Sequence, residues 1–600
     1  MTSQEYDIII RGSDVVDGSG RPPFHADIAI LGDRIAAIGA LKGDSRTEVD
    51  GRGLVAAPGF IDPHTHADSA ILRHPLAPNF IMQGVTTVVA GHCGESMAPL
   101  KDRCSAVMVN AWEWWRKVRP DEPSYPPTLP LDEYGDLIAE KVGFSIDWST
   151  FGGFLDKVES VGTAVNFASL VGHNTLRTAV MGSDFKRVAA KSEIGEMEEL
   201  LRGAMNDGAF GLSTMTDPGL GEYADVEELT ALAAVTKEEG GCLVPHTRHT
   251  QSQWPSLDGA EMGYGIYHGP IEDVWVGRYR GTLEAIEIAR SSGVKLNIAH
   301  LSNVFRITQP HPDHLEEAMA AATLEVIDAA LEDGVDVTFD VVASADCIST
   351  GVLMRSDFEE WLEGYEGDAL NERLRSEEFR EEVKTAHRHG RLKLQMIHTM
   401  ADPYWMINFR VLRCSRKEFE GEVVGDIANR LGRNALDFVL DVLADDPETI
   451  WVQFRDERGT EAANTVFLSH RLAMPCSDAE VYGLDAPAGM ENAPPPTAYG
   501  LFPHYIRLMV NERKALTIED AVNKATGLVA ERMNIEGRGI LEKGAFADII
   551  IFDKTRISET GGFLEPCRRP AGIESVIVNG RIVYRNQELT LDRPGAVLRL

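Results

Sequence analysis

The chain has 600 residues, and its 58 lysines and arginines stand against 93 aspartates and glutamates, a formal net charge of -35. This excess of negative charge repels nucleic-acid phosphates and anionic membrane surfaces, so we expect neither kind of partner. No segment approaches the roughly 20 apolar residues of a membrane helix, and no signal sequence opens the chain, which predicts a cytoplasmic protein. The seven cysteines lack CxxC spacing and are expected to be free thiols.

Both ends of the chain contain short β-strand patterns separated by turn residues. DIIIRG and ADIAILGDRIAAIG fall within residues 1–57, whereas GAFADIIIFD and IESVIVNGRIVY fall within residues 535–600. Because the termini of a domain often lie close together, we expect the two ends to pair into one small β-sandwich domain.

Residues 58–534 alternate apolar runs with amphipathic helical patterns, which is typical of a parallel sheet built from βα units. The predicted helices include SEIGEMEELLRGAMNDG, VEELTALAAVTKEEGG and ATLEVIDAALEDGV, each with a glycine stop signal. Eight is the number of strands that closes a (β/α)8 TIM-like barrel, so the predicted class is α/β. The eight candidate strand segments are GLVAAPGFIDPHTH, VTTVVAGHC, AVNFASLVGH, AFGLSTM, CLVPHTRH, KLNIAHLSN, VDVTFDVVAS and HRLAMPCSD.

Two connections, near residues 97–162 and 344–466, are longer than a βα unit requires, and the first contains WEWW. Long connections at the C-terminal face of a barrel usually carry lids or substrate walls. Peripheral elaboration, or a contact between copies in a homo-oligomer, is the alternative interpretation.

Polar side chains stand mostly where the candidate strands end. In a (β/α)8 barrel those ends converge on one mouth, so residues far apart in sequence become neighbours. The residues at these ends are His64, His66, Cys93, His173, His246, His300 and Asp478.

His64 and His66 are two residues apart, so in an extended strand both point to the same side, into the barrel. Neutral imidazole is a good ligand for Zn²⁺, and a catalytic zinc site keeps one position open. With further candidate ligands at other strand ends, the pattern predicts a divalent metal site. A histidine that is only part of the core is the alternative for any one of them.

Cys93, within AGHCGES, lies between a histidine and a glycine after a valine-rich strand. Near a divalent metal its thiol would ionise, and its sulfur could bridge two ions. A nucleophilic cysteine and an inert buried cysteine are the competing interpretations, the first of which requires a general base without a metal.

Asp478, within PCSDAE, is placed where the eighth strand should reach the mouth. A carboxylate there could accept a proton from attacking water and return it to the leaving group. A metal ligand or a simple turn aspartate is the alternative. For His173 we expect either a hydrogen bond to the oxyanion or a supporting position, and a structural histidine is equally compatible.

At these residues the chain resembles the amidohydrolase superfamily, and within it the N-acyl-D-amino-acid deacylases. The resemblance runs through both β-rich ends and all eight strands but not through the two long connections. The segments that carry it are GFIDPHTH, GVTTVVAGHCGES, VGHNTLRTAVMG, DGAFGLST, HTR at His246, AHLS at His300, Ser-Asp at Asp478, YGLFP and GRGILEKGAFADIIIFD.

The resemblance implies a zinc-dependent hydrolase that cleaves a non-peptide C–N bond of a small amide substrate, with one or two ions per chain. It implies that Cys93, His246 and His300 hold the tighter zinc and that Asp478 is the general base and acid. His64 and His66 would form the second site, with Cys93 as the bridge. The carbamylated lysine of hydantoinase-like relatives has no counterpart in AFGLSTM.

The departures from the family pattern concern the grip on a substrate carboxylate. Ser302 stands where a lysine is usual, Thr497 where an arginine is usual, and Val342 where a tyrosine is usual. A site that pairs an anion loses several kcal/mol without such partners. We therefore expect a bulkier, less charged amide or a cyclic amide such as a lactam, although Arg248 or His249 could supply a positive contact.

Two other classes of protein agree less well with these residues. A non-enzymatic scaffold has no need to keep the complete set of candidate ligands, which disfavours it. A purine or pyrimidine deaminase is disfavoured by the cysteine motif and because His246 is followed by Thr247, Arg248 and His249 rather than by an acidic residue.

Overall fold

The computed structural model describes residues 6–105, 108, 128–216, 220–248, 277–304, 311–344, 351–395, 397–399, 404–453, 457–485 and 494–600. Within them, parallel strands alternate with helices, which confirms the α/β class. The WEWW motif at residues 112–115 lies outside the described residues.

Nine strands from the two ends of the chain form one sheet. Val55–Pro58 pairs antiparallel with Ile549–Phe552, which joins the N-terminal and C-terminal segments. Isoleucines two apart share one face of a strand, and those of both segments meet in one core. The nine strands are Tyr6–Val15, Phe24–Leu31, Arg34–Gly39, Ser45–Asp50, Val55–Pro58, Ile549–Phe552, Ile573–Val578, Arg581–Arg585 and Glu588–Leu589.

Eight further strands follow one another through the middle of the chain, and each pairs in parallel with the next. They fall in two sheets that meet at the third strand. Each of the eight predicted segments contains one of them. They are β1 (Phe60–Asp62), β2 (Val85–Ala90), β3 (Asn166–Ser169, continued by Val171–Gly172), β4 (Gly211–Met215), β5 (Cys242–His246), β6 (Lys295–Ile298), β7 (Val337–Val342) and β8 (Ala473–Cys476).

The first and last of these strands meet just beyond their carboxyl ends. The backbone N–H of Asp478 donates to the carbonyl of His64 at 3.0 Å, and that of His66 donates to the carbonyl of Ala479 at 2.9 Å. Thr65 and Ala479 form a parallel bridge. The series β1 to β8 therefore returns to β1 at the edge where the candidate ligands lie.

The three predicted helices are present as Lys191–Asn206, Val226–Glu238 and Asp313–Glu332. The last begins before the predicted segment, because the residues from Asp313 onward, rich in glutamate and alanine, also favour a helix. No helix in the described part of the chain is long and apolar enough to cross a membrane. The other helices around the central strands are Pro78–Ile81, His173–Met181, Gly277–Ser292, Glu457–Ser469, Thr497–Ile506, Ile518–Lys524 and Gly527–Arg532, with a 3-10 turn at Ala67–Ser69 and a π-helical turn at Arg507–Glu512.

The first long connection contains an antiparallel strand pair, Arg103–Ser105 with Thr128–Pro130, and the helices Leu131–Val142 and Phe151–Val161. The second has a hydrophobic core of its own, which includes Phe379, Phe409, Phe438 and Trp451. Its strands are Val352–Leu353, Lys393–Leu394, Ile397–His398, Phe409–Arg413 and Ile450–Gln453, and its helices are Glu359–Leu362, Gly367–Arg375, Glu377–Arg388, Val424–Arg430 and Ala435–Asp445, with 3-10 turns at Met354–Phe358, Trp405–Asn408 and Lys417–Phe419.

Candidate metal centre

The six candidate ligands stand at the carboxyl ends of five strands, which the parallel order brings to one edge. His64 and His66 follow β1, Cys93 follows β2, His246 ends β5 and His300 follows β6. Asp478 follows β8, which meets β1 at this same edge. The structure therefore gathers these six residues, which lie as much as 414 positions apart in the sequence.

The thiol of Cys93 lies at the centre of this cluster. Its Sγ is 3.6 Å from Nε2 of His64, 3.6 Å from Nδ1 of His246 and 3.5 Å from Nε2 of His300. Each of these nitrogens can present a lone pair when its imidazole is neutral, as a metal ligand must.

Asp478 completes the other side of the cluster. Its Oδ1 is 3.2 Å from Nε2 of His64 and 3.1 Å from Nε2 of His66. The side chains of His64 and Asp478 are buried, whereas that of His66 is 30% exposed, so the cluster is open to solvent on the His66 side.

The possible ligands fall into two groups that share one residue. His64, His66, Cys93 and Asp478 place one ligand atom each within 4.8 Å of one another, and so do Cys93, His246 and His300. A cysteine, histidine and carboxylate set of this kind fits zinc, and the shared sulfur fits a bridge between two ions. The residues present therefore fit the metal that the sequence predicted.

Three of these residues have a backbone conformation that is uncommon outside glycine. The φ angle is 49° at Cys93, 34° at His300 and 54° at Asp478, all in the left-handed region. Such conformations cost roughly 1–3 kcal/mol each and persist where the surroundings impose them, often at functional sites. Gly91, with φ 76°, permits the turn into Cys93, since a Cβ there would lie 2.2 Å from the carbonyl oxygen of Leu170.

The imidazoles also control the charge of the two anionic groups. Burial alone raises the pKa of the Cys93 thiol, but the contacts with His246, His300 and His64 hold that pKa well below its usual value. Burial likewise raises the pKa of Asp478, and the charge of His64 and its hydrogen bonds lower it well below the usual range. Both groups are thus available as a thiolate and a carboxylate at neutral pH.

Two buried aspartates and a histidine that sequence reasoning did not assign surround the ligands. Asp340, in β7, has its Oδ1 3.2 Å from Nδ1 of His64. Asp62 accepts hydrogen bonds from the backbone N–H of Ser477 at 3.2 Å and of His64 at 3.3 Å. The ring of His92 stacks on that of His64 at 3.9 Å between centroids. The FIDPHTH and GHC motifs contain Asp62 and His92, whereas Asp340 lies inside an apolar strand and begins the segment in which Val342 stands where a tyrosine is usual.

His173 belongs to neither group of possible ligands among the described residues. It begins the helix His173–Met181, and its Nε2 is 2.7 Å from Oε1 of Glu228. Arg177 donates to the same carboxylate at 2.7 Å and 2.5 Å. Glu228 therefore occupies Nε2 of His173 within a buried network. A hydrogen bond from His173 to the oxyanion stays a prediction.

The guanidinium of Arg248 is engaged within the protein. Its Nε donates to the carboxylate of Glu284 at 3.1 Å, and its two Nη atoms donate to the carbonyls of Glu222 and Ala224, both at 2.8 Å. These contacts leave it poorly placed to bind a substrate carboxylate. His249 lies outside the described residues.

The remaining three predicted substrate contacts lie on segments that adjoin the ligands. Ser302, partly buried, is two residues beyond His300. Val342 is the last residue of β7, and its carbonyl accepts a hydrogen bond from Nδ2 of Asn464 at 3.0 Å. Thr497 is buried at the start of the helix Thr497–Ile506. Their contact with substrate stays a prediction.

With this geometry in place, comparison with known proteins identifies the class. The amidohydrolase family matches residues 47–346 and 422–584. D-aminoacylase of Alcaligenes xylosoxydans xylosoxydans is 30% identical over 597 residues, which cover 99% of this chain and 98% of that protein. N-acyl-D-aspartate deacylase of the same organism is 28% identical and covers 99% of this chain and 95% of its own length.

Solved structures give the same result. A crystal structure of D-aminoacylase superposes with a TM-score of 0.67 at 27% identity and covers 99% of this chain and 100% of its own. N-acyl-D-glutamate deacylase of Bordetella bronchiseptica, complexed with zinc and a phosphonate inhibitor, superposes with a TM-score of 0.68 at 25% identity over 100% of both chains.

The chain therefore belongs to the amidohydrolase family, and within it to the group of D-aminoacylases and N-acyl-D-amino-acid deacylases. The predicted resemblance is confirmed, and so is the prediction of an enzyme that hydrolyses carbon–nitrogen bonds other than peptide bonds. Between its two segments the family match leaves out residues 347–421, all of which belong to the second long connection.

Proposed function

We propose that this protein is a zinc-dependent hydrolase that cleaves the amide bond of N-acyl-amino-acid or related substrates. The observation that carries the proposal is the pair of ligand groups that share Cys93 at the carboxyl edge of β1, β2, β5, β6 and β8. Zinc as the cofactor, expected from the sequence, is confirmed by the structural relatives, one of which is complexed with zinc. Another solved structure, of a D-aminoacylase 26% identical to this chain, is described as having a binuclear metal center.

We assign the ligands as two subsites. Cys93, His246 and His300 would hold one ion, and His64 and His66 would hold the other with Cys93 as the bridge. When bound, Zn²⁺ supplies a Lewis acid that polarises a carbonyl oxygen and makes water more acidic. The short distances from Cys93 Sγ to three imidazole nitrogens support this assignment.

Asp478 acts as the general base and acid in this proposal. Its carboxylate takes the proton of the attacking water at Oδ1 or Oδ2 and then donates it to the departing nitrogen. Support comes from its ionised state, since the pKa is held low, and from its position beside His64 and His66 at the exposed side of the cluster.

The same proposal extends to the architecture. We infer that β1 to β8 close a (β/α)8 barrel within residues 58–534 and that residues 1–57 and 535–600 form a β-sandwich domain. The hydrogen bonds between the ends of β8 and β1 support the closure of the barrel. The pairing of Val55–Pro58 with Ile549–Phe552 supports the composite terminal domain.

For the substrate, we propose an amide that does not depend on a free carboxylate for binding. Ser302, Val342 and Thr497 cannot form an ion pair with a carboxylate, and the Arg248 guanidinium is engaged by Glu284 and two carbonyls. A bulkier neutral amide or a cyclic amide meets these conditions better than a simple N-acyl-D-amino acid.

A hydrolysis screen of the zinc-loaded protein by mass spectrometry tests the proposal. Its core is a matched pair, N-acetyl-D-methionine and N-acetyl-D-methionine methylamide, which differ only in the carboxylate, with the L-enantiomers, lactams and cyclic imides beside them. We expect the methylamide or a cyclic amide to be hydrolysed with a higher kcat/KM than N-acetyl-D-methionine. A preference for the D-acid would contradict the substrate assignment, and release of ammonia from aminopurines alone would contradict the reaction class.

A further inference from the structure

Asp340 contacts residues from both proposed subsites through one carboxylate. Its Oδ1 accepts a hydrogen bond from the backbone N–H of His300 at 2.7 Å and lies 3.2 Å from Nδ1 of His64. His64 belongs to the group with Asp478, and His300 to the group with His246. One oxygen atom thus adjoins a ligand of each group.

The carboxylate itself is held firmly. Nδ2 of Asn297 donates to Oδ2 at 2.6 Å, and the thiol of Cys476 donates to Oδ1 at 3.1 Å. Asn297 is oriented in turn by Thr338, whose hydroxyl donates to its Oδ1 at 2.9 Å. The Asp340 side chain is fully buried, so these protein groups and not solvent fix its orientation.

The contact with His300 coincides with an uncommon backbone conformation. His300 has φ 34°, and both its own N–H and that of Leu301 donate to Asp340, the latter to the backbone carbonyl at 2.8 Å. These two hydrogen bonds hold the turn that directs the His300 ring toward Cys93. On the other side, His64 presents Nδ1 to Asp340 and Nε2 to Cys93 and Asp478, so a proton on Nδ1 leaves Nε2 free to bind metal.

We propose that Asp340 is a positioning residue for both halves of the metal centre: it sets the ring orientation of His64 and the backbone turn of His300 at the same time. This inference rests on the proposed metal centre and adds a coupling between its subsites. Loss of such a supporting carboxylate typically lowers metal affinity about 10- to 100-fold. The coupling predicts that every metal-binding step weakens, not one alone.

The test is a Co²⁺ titration of the full-length, metal-free protein. Binding is followed through the thiolate-to-cobalt absorption of Cys93, and Zn²⁺ affinity is obtained by competition. In Asp340→Asn an NH₂ group replaces one of the two carboxylate oxygens. In one orientation of the amide the NH₂ group faces the Nδ2 donor of Asn297, and in the other it faces the backbone N–H of His300, so one hydrogen bond is lost either way. We expect each step to weaken about 10- to 100-fold.

Asp357→Asn is the matched control, because Asp357 also accepts two hydrogen bonds, from the backbone N–H of Gln395 at 2.6 Å and from Trp451 Nε1 at 3.1 Å, but belongs to the second long connection. We expect it to lower the melting temperature and leave Co²⁺ affinity unchanged. If Asp340→Asn does not fold, Asn297→Ala takes its place, since it removes one support of the carboxylate and should weaken the same steps to a smaller degree.

The proposal would be overturned if Asp340→Asn bound Co²⁺ with wild-type affinity, or if only one of its metal-binding steps were weakened. If Asn297→Ala is used in its place, wild-type Co²⁺ affinity in that variant would overturn the proposal. Wild-type protein that binds no Co²⁺ would instead contradict the metal centre itself. The two failures are therefore distinguishable without any measurement of activity.

Discussion

Replacing Cys93 with alanine removes the sulfur that both ligand groups share, so we expect both to lose metal. The Sγ atom lies within 3.6 Å of one nitrogen each of His64, His246 and His300, and no other ligand atom belongs to both groups. Four-ligand zinc sites bind with roughly 10–16 kcal/mol, or about 3 kcal/mol per ligand. The loss of one ligand therefore lowers the affinity of each subsite about 100-fold.

The assay is competition for Zn²⁺ with a calibrated chelator, with the metal content of the recovered protein measured by mass spectrometry. Cys242→Ala is the matched control, because Cys242 is a buried thiol at the opposite end of β5 from His246. That variant should keep its metal and lose only about 1 kcal/mol of folding stability. Wild-type zinc content and affinity in Cys93→Ala would refute the reasoning that the sulfur is a shared ligand.

Three further predictions concern single residues. Asp478→Asn should keep its zinc content and lose kcat by about 100-fold or more, because the amide cannot accept the proton. Glu228→Gln should destabilise the fold by about 3 kcal/mol in urea melts at pH 7, because it leaves the buried Arg177 unpaired. Arg248→Met should lower the melting temperature without a selective rise in KM for acidic substrates, because Glu284 already binds the guanidinium.

The effect of Glu228 also has a defined pH dependence. Burial raises the pKa of Glu228, but its hydrogen bond with His173 and the charge of Arg177 outweigh that effect and lower the pKa to about 2. A depressed carboxylate pKa stabilises the fold above the unfolded-state value of about 4.3, and this contribution is lost as the pH falls toward 2. The difference in free energy of unfolding between wild type and Glu228→Gln should therefore shrink as the pH falls from about 4.3 toward 2.

Each of these predictions has a contrary outcome. An active Asp478→Asn enzyme would remove the general base from the account, and an unstable one without zinc would make Asp478 a ligand. If the difference in free energy of unfolding between wild type and Glu228→Gln stayed constant from pH 5 to pH 2, that would contradict the lowered pKa of Glu228. A rise in KM confined to carboxylate substrates in Arg248→Met would restore that residue as a substrate contact.

The sequence predicts the strands and the clustering of the candidate ligands because both have local signals. Each of β1 to β8 is an apolar run, and His64, His66 and Cys93 stand in short motifs at the ends of such runs. The convergence of these residues with His246 and His300 follows from parallel strand order alone, because the carboxyl ends of successive strands share one edge.

What the sequence does not predict depends on contacts between distant side chains. Asp340 lies in the interior of β7, where its neighbours valine and phenylalanine give no sign of a carboxylate that binds Asn297 and His300. His173 carries the same strand-end signal as the proposed metal ligands, yet its partner is Glu228, 55 residues away on a helix. The second long connection has a separate hydrophobic core, and hydrophobic periodicity alone does not predict which of its helices and strands pack together.

We expect hydrolysis to depend on metal held by the cluster around Cys93. The most direct measurement is amide hydrolysis by metal-free protein during stepwise addition of Zn²⁺, with bound metal determined at each step. We expect no turnover without zinc, activity that rises with bound metal, and saturation at one or two equivalents per chain. Full activity in protein that contains no metal would contradict the account.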